Sequence, residues 1–143
     1  MPACTFFGHR DCPETVKPKL RAVLIDLITN HGVDMFYVGH QGHFDAYVHS
    51  ELKQLKKEYP QINYAVVLAY MPGKQTNYVD YSDTMLPEGI ETVHPHYAIS
   101  WRNNWMLKQS DYVVSYITHS WGGAAQYAAK ARKTGKTVIN VIL

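Results

Sequence analysis

The feature that most constrains this chain is a recurrent unit: a short apolar run of β type, a glycine-bearing turn, then residues at helical spacing. Gly8, His9 and Arg10 follow the run Cys4, Thr5, Phe6 and Phe7. Gly39, His40, Gln41, Gly42, His43, Phe44 and Asp45 follow Met35, Phe36, Tyr37 and Val38. Ser120, Trp121, Gly122, Gly123, Ala124 and Ala125 follow the apolar run over residues 112–117. A strand that feeds a helix through a glycine turn collects free backbone N–H groups and the positive end of a helix dipole at one point, which suits a phosphate or carboxylate. Three such units in one chain point to a ligand pocket at the carboxyl edge of a mainly parallel sheet.

The rest of the pattern agrees with an α/β fold. Leu20, Val23, Leu24, Leu27 and Ile28 recur at helical spacing, with Pro18 suited to the first turn and Gly32 to the stop. Phe44, Val48, Leu52 and Leu55 mark a second helix ending near Tyr59 and Pro60. Residues 64–69 are apolar at successive positions, as in a central strand covered on both faces. A helix is predicted over 99–109, a strand over 111–117, a helix over 121–134 closed by Gly135, and a last strand from Thr137. The sum is an α/β three-layer sandwich, Rossmann-like, with about five strands and right-handed crossovers. The segment from Tyr70 to Tyr97 breaks the alternation. It reads either as a lid or binding loop, or as an irregular connection with a short strand near 89–93.

Composition bounds the function. A chain of 143 residues, 46% apolar and 18% charged, is expected to form a single soluble domain over 1–143. A net charge of +2 is too small to argue for nucleic acid. No run is long and apolar enough for a membrane helix, and no signal peptide is visible. Cys4 and Cys12 do not make a disulfide framework, so reduced thiols and a cytoplasmic location are expected. Eight histidines raise the question of a metal, with His40 and His43 in one turn and His94 and His96 in a His-x-His pair. No carboxylate or thiol cluster completes a ligand set, so no metal and no cofactor are expected. Exposed aromatics on helices and on the long segment predict a homo-oligomer, most simply a dimer.

The opening Thr5-Phe6-Phe7-Gly8-His9-Arg10 is similar to that of a group of small bacterial Rossmann-like proteins opening with Thr-x-x-Gly-His-Arg. They belong to the SLOG superfamily, named for the DNA-processing protein DprA and the Lonely Guy enzymes. The turn over 39–45, the stretch from Arg102 to Asp111, Gly122-Gly123 with Tyr127-Ala128, and Val138-Ile139-Asn140-Val141 extend the resemblance along the whole chain. It implies a fold that binds a nucleotide or nucleotide-derived ligand. Superfamily members range from phosphoribohydrolases to non-catalytic sensors of nucleotide signals, some active in defence against phage. The hydrolases carry Pro-Gly-Gly-x-Gly-Thr and then a catalytic glutamate. Here the stretch reads Trp121-Gly122-Gly123-Ala124-Ala125-Gln126, so the Gly-Thr pair and the glutamate are absent. Binding or sensing of a nucleotide-derived small molecule is therefore the leading expectation. Hydrolysis of an N-glycosidic or phosphate bond is the alternative, with Asp45, His9, His40 and Glu91 as the available acid–base groups.

Each candidate has a bland counterpart. Gly8, Gly39 and Gly42 either admit a ligand to the backbone or merely turn the chain. Arg10 either forks onto a phosphate or pairs with Asp11 or Glu14. His9 either touches the ligand or orients its loop. Asp45 either takes a ribose hydroxyl or caps the second helix. Arg102 corresponds loosely to a ligand-contacting arginine of the hydrolases, with Asn103 and Asn104 beside it. Ser120 is a candidate helix cap with a hydroxyl to spare, and Trp121, Gly122 and Gly123 complete the last turn. Among the tyrosines at 70, 78, 81 and 97, Tyr70 is the best candidate to stack a base, because a strand ends there.

Overall fold

The computed structural model describes residues 2–70 and 82–142. Six strands alternate with four α-helices: β1 (Ala3–Gly8), α1 (Lys17–His31), β2 (Met35–Val38), α2 (Gly42–Glu58), β3 (Asn63–Val67), β4 (Thr84–Met85), α3 (Ala98–Gln109), β5 (Tyr112–Tyr116), α4 (Gly123–Lys133) and β6 (Thr137–Asn140). The strand order is β4-β3-β2-β1-β5-β6, and every pairing is parallel. This is the expected Rossmann-like three-layer sandwich, with one strand more than the five anticipated.

Alternating side chains of each strand enter two separate cores. Cys4, Phe6, Phe36, Val38, Val66 and Val114 pack under α1 and α2, against Leu20, Leu24, Phe44 and Val48. Phe7, Val67 and Val113 pack under α3 and α4, against Met106, Leu107 and Ala131. A sheet covered on both faces explains why its strands read as continuous apolar runs rather than as alternation. At about 25 cal/mol per Å² of buried apolar surface, these two layers supply the main favourable term of folding.

Helix ends follow the turn chemistry in most places. Gly32 closes α1 in the left-handed region at φ 67°. Gly135 closes α4 at φ 83°, with its N–H on the Arg132 carbonyl and the Lys136 N–H on Ala131. That pair of bonds is a Schellman motif. Two expectations are corrected. The short strand anticipated near 89–93 is a 3-10 turn, Ile90–Thr92, entered through Gly89 at φ 94°. The additional strand is β4, held to β3 by bonds from the Val66 and Leu68 N–H groups to the Asp83 and Met85 carbonyls. The last long helix begins at Gly123 rather than 121, because Gly122 at φ 96° turns the chain and occupies the N-cap. Ser120 is therefore not the cap.

Crossovers from β1 to β2 and from β5 to β6 leave the sheet centre in opposite directions. The adjacent strands β1 and β5 thus form a topological switch point, where open α/β sheets leave a crevice at the carboxyl edge. The packing just behind that crevice depends on Gly8. A Cβ there would lie 2.2 Å from the Phe44 ring. Gly8→Ala is expected to destabilise the fold by about 1–3 kcal/mol through overpacking. Gly123→Ala meets nothing within 4 Å and should be near neutral. Thermal denaturation of the two variants side by side checks this contrast.

Candidate functional site

A cleft of about 580 Å³ opens at the switch point. Four chain segments line it: the turn after β1 (Gly8, His9, Arg10, Asp11), the start of α2 (Gln41, Asp45), one side of α3 (Ile99, Arg102, Asn103, Met106), and the turn into α4 (Thr118, His119, Gly122, Gly123, Ala124). Phe6 and Phe7 contribute its floor.

The first and last turns are cross-linked through His9. Its backbone N–H donates to the Tyr116 carbonyl at 3.1 Å, continuing the β1–β5 ladder. The Thr118 N–H then donates to His9 Nε2 at 3.0 Å. Nε2 must therefore carry a lone pair, so the ring is neutral with its proton on Nδ1. Burial pushes the His9 pKa below its usual value, and neighbouring His119 pushes it the same way. His9 both lines the cleft and orients the loop.

The first turn is also clamped to α2. The Arg10 carbonyl accepts the His43 N–H at 2.9 Å. Gly42, at φ 87°, lets this happen, since a Cβ on it would come within 2.6 Å of the Arg10 Cα. The Arg10 side chain is left exposed on the cleft wall, with no ion pair among the described residues; Glu14 pairs with Lys17 instead.

Gly39 makes room for opposite charges. A Cβ there would lie 2.9 Å from Asp45 Oδ2 and 3.3 Å from the Arg102 guanidinium. Arg102 is only 2% exposed. Its Nη1 donates to the Val67 carbonyl and its Nε to Asn103 Oδ1, both at 2.9 Å. Burial lowers its pKa, and the Asp45 charge acts in the other direction. Asp45, in the first turn of α2, accepts the Gln41 N–H at 2.9 Å. Burial raises its pKa from 3.8 to about 6, against the lowering effects of that hydrogen bond and of Arg102. Asp45 thus ties down the N-cap residue of its helix, Gln41, and lines the cleft with a carboxyl group. It also shares the wall of a second chamber of about 270 Å³, lined by Gly39, His40, Gly42, Ala46 and His49.

Of the residues singled out in the sequence, Gly8, His9, Arg10, Asp45, Arg102, Gly122 and Gly123 meet in the main cleft, and Gly39 and Gly42 border the second chamber. Ser120, Trp121 and Tyr70 do not line either. Tyr70 donates its hydroxyl to the Pro95 carbonyl at 3.0 Å. Tyr78 and Tyr81 lie outside the described residues. Sequence reasoning missed Gln41, Thr118 and His119. His119 carried the available signal, as a histidine just ahead of the last glycine turn. Of the histidines raised for a metal, His94 accepts the His96 N–H at Nδ1, and His43 lies against Tyr47. Among the described residues no three His, Cys, Asp or Glu side chains converge on one point. Burial pushes the Cys12 thiol up to about 11 and raises Cys4 as well, which disfavours the thiolate in both. No helix among the described residues is long and apolar enough to cross a membrane.

No protein-family model matches the chain, nor does any curated protein sequence. Among solved structures, DNA processing protein A (DprA) from Streptococcus pneumoniae matches with a TM-score of 0.68 at 15% identity, over 96% of this chain and 49% of that one. The chain thus spans about half the length of that protein. The likeness is one of fold, and it is the Rossmann-like fold of DprA that the chain adopts.

The pKa of Asp45 has a measurable consequence. Its folded value lies above its unfolded one, so the folded chain holds this proton more tightly. Stability must then fall as pH rises between about 4 and 6, and the full cost of burying the ionised carboxylate, up to about 3 kcal/mol, is present above that window. Asp45→Asn keeps an acceptor for the Gln41 N–H and removes the charge. Its melting temperature should equal or trail the wild type at pH 4 and exceed it at pH 7.5. A difference that does not change with pH would refute the assignment.

Proposed function

We propose that the cleft binds a nucleotide-derived small molecule, with a phosphate held between the first and last turns. The observation that carries this reading is the convergence of Arg10, buried Arg102 and the open Gly122–Gly123 backbone at the sheet's switch point. The first N–H groups of α4 have no side-chain cap, and no atom lies within 4 Å of where a Cβ on either glycine would stand. An anion there meets free donors, a helix dipole and a forked guanidinium. In this reading Asp45 accepts a sugar hydroxyl. The ordered motifs and the DprA-like fold support grouping the chain with the small nucleotide-sensing SLOG proteins, among which roles in phage defence occur. The name of the solved relative invokes DNA, but a net charge of +2 supports a small ligand over a phosphate backbone. Two unpaired buried thiols fit a reducing, cytoplasmic setting.

A second reading, hydrolysis, is favoured by one observation: a cleft carboxyl whose pKa of about 6 suits general acid–base work near neutrality. Asp45 would then serve in place of the glutamate missing after the last glycine turn, where Gln126 stands. Incubation with nucleoside monophosphates and NAD, followed by chromatography for free base, separates the readings. Released base that disappears in Asp45→Asn makes the chain a hydrolase; intact substrate at high protein concentration leaves a binding module.

Isothermal titration with nucleoside phosphates, cyclic nucleotides and ADP-ribose tests the binding itself. Arg10→Ala removes a charge-assisted contact worth roughly 1.5–3 kcal/mol, or about a 10- to 150-fold loss of affinity. Gly123→Val should fold, since its side chain enters open space, and should block the same ligand. Wild-type affinity in both folded variants would move the site away from these turns.

A further inference from the structure

Three rings form a continuous stack that starts in the cleft wall and ends on Trp121, just outside the lining. His9 and His119 lie 3.7 Å apart with their planes 13° from parallel. His119 and Trp121 lie 3.8 Å apart at 17°. The two inner rings belong to the cleft wall, and the outermost is 69% exposed. We infer that the uncovered face of Trp121 is the platform on which the aromatic base of the cleft's ligand stacks. This inference rests on the phosphate-binding reading above and assigns the other end of the same ligand.

The two imidazoles of the stack are fixed by the protein's own hydrogen bonds. Thr118 holds His9 through Nε2, and His119 Nδ1 is bonded to the Trp121 carbonyl at 3.0 Å. The indole lies parallel to this two-ring base, within 17° of His119, which favours one orientation of its ring. Prior ordering of this kind removes a cost that binding would otherwise carry. Among the described residues, His119 is the one ring that stacks on the indole. The other strongly exposed aromatics among the described residues differ: Tyr97 makes edge contacts with His94 and His96, and Tyr70 is tied to Pro95 by its hydroxyl.

The spacing also fits one ligand. Trp121 directly precedes the two glycines whose backbone is open. Two residues of extended chain span at most about 7 Å, which is the reach of one pentose between a phosphate and its base. A flat π face accepts any base, because every base has a π surface. The platform thus accounts for affinity toward nucleotides as a class, and base identity must be read elsewhere.

The test uses the whole chain and three probes: AMP, UMP and ribose 5-phosphate, titrated calorimetrically into wild type, Trp121→Ala and Trp121→Phe. The wild type should bind both nucleotides more tightly than ribose 5-phosphate. Trp121→Ala should lose roughly 5- to 150-fold in nucleotide affinity, leave ribose 5-phosphate unchanged, and melt close to wild type. Trp121→Phe should recover most of the loss. Nucleotide binding that is unaffected in Trp121→Ala overturns the platform and leaves the phosphate reading standing. A wild type that binds none of the three probes overturns both. Light scattering adds one more outcome: an oligomer that dissociates in Trp121→Ala with nucleotide affinity intact makes the indole a subunit contact, and the inference falls.

Discussion

The hydrogen-bond ladder between β1 and β5 does not stop where the strands stop. Their register runs from Cys4 opposite Tyr112 to Gly8 opposite Tyr116. The His9 N–H adds one further rung to the Tyr116 carbonyl, and the His9 ring adds another by accepting the Thr118 N–H. Two turns that would otherwise splay from the sheet edge are thereby held against each other. The cleft wall, the orientation of His119 and the approach of the chain to Gly122 all follow from that extension. It works only while His9 is neutral, and burial together with His119 keeps it so.

A second constraint sets the chemistry inside the cleft. Asp45 and Arg102 face each other across a glycine, near enough for each to shift the other's ionisation, yet they form no ion pair within 4 Å. Arg102 is instead anchored by a strand carbonyl and by Asn103. A closed salt bridge at this point would satisfy both groups and leave nothing for a ligand. An open arrangement keeps the carboxyl at an ionisation cost, and such unrelieved cost is characteristic of groups retained for function.

The alternation of apolar runs and helical periods made the architecture legible, because a sheet covered on both faces imposes that pattern directly. The missing element, β4, is two residues long, too short for any side-chain period to announce it. The site was half legible. Glycines after strand-type runs marked the turns at 8, 39–42 and 122–123. The consequences of those turns were not readable, since they depend on contacts across space. Asp45 becomes a weaker acid because its burial outweighs the opposing pull of Arg102 and of the Gln41 N–H. The ladder from His9 to Trp121 joins residues more than a hundred positions apart, and Ser120 lost its capping role to the backbone turn at Gly122.

The glycines themselves separate into two kinds once their surroundings are known. At Gly8, Gly39 and Gly42 a Cβ would strike Phe44, Asp45 or the Arg10 backbone, so the protein's own packing accounts for them. Gly122 requires its positive φ, but no neighbour crowds it, and Gly123 has neither a neighbour nor a special backbone angle. Folding alone therefore gives no reason for glycine at 123, where alanine would favour the helix. What glycine provides there is an unshielded first turn of α4, facing a cleft that holds two arginines. The bland reading of the glycine turns thus accounts for one side of the cleft and fails on the other. On the proposed reading, a ligand approaches backbone at the start of α4, not at the turn after β2 where the sequence motif is longest.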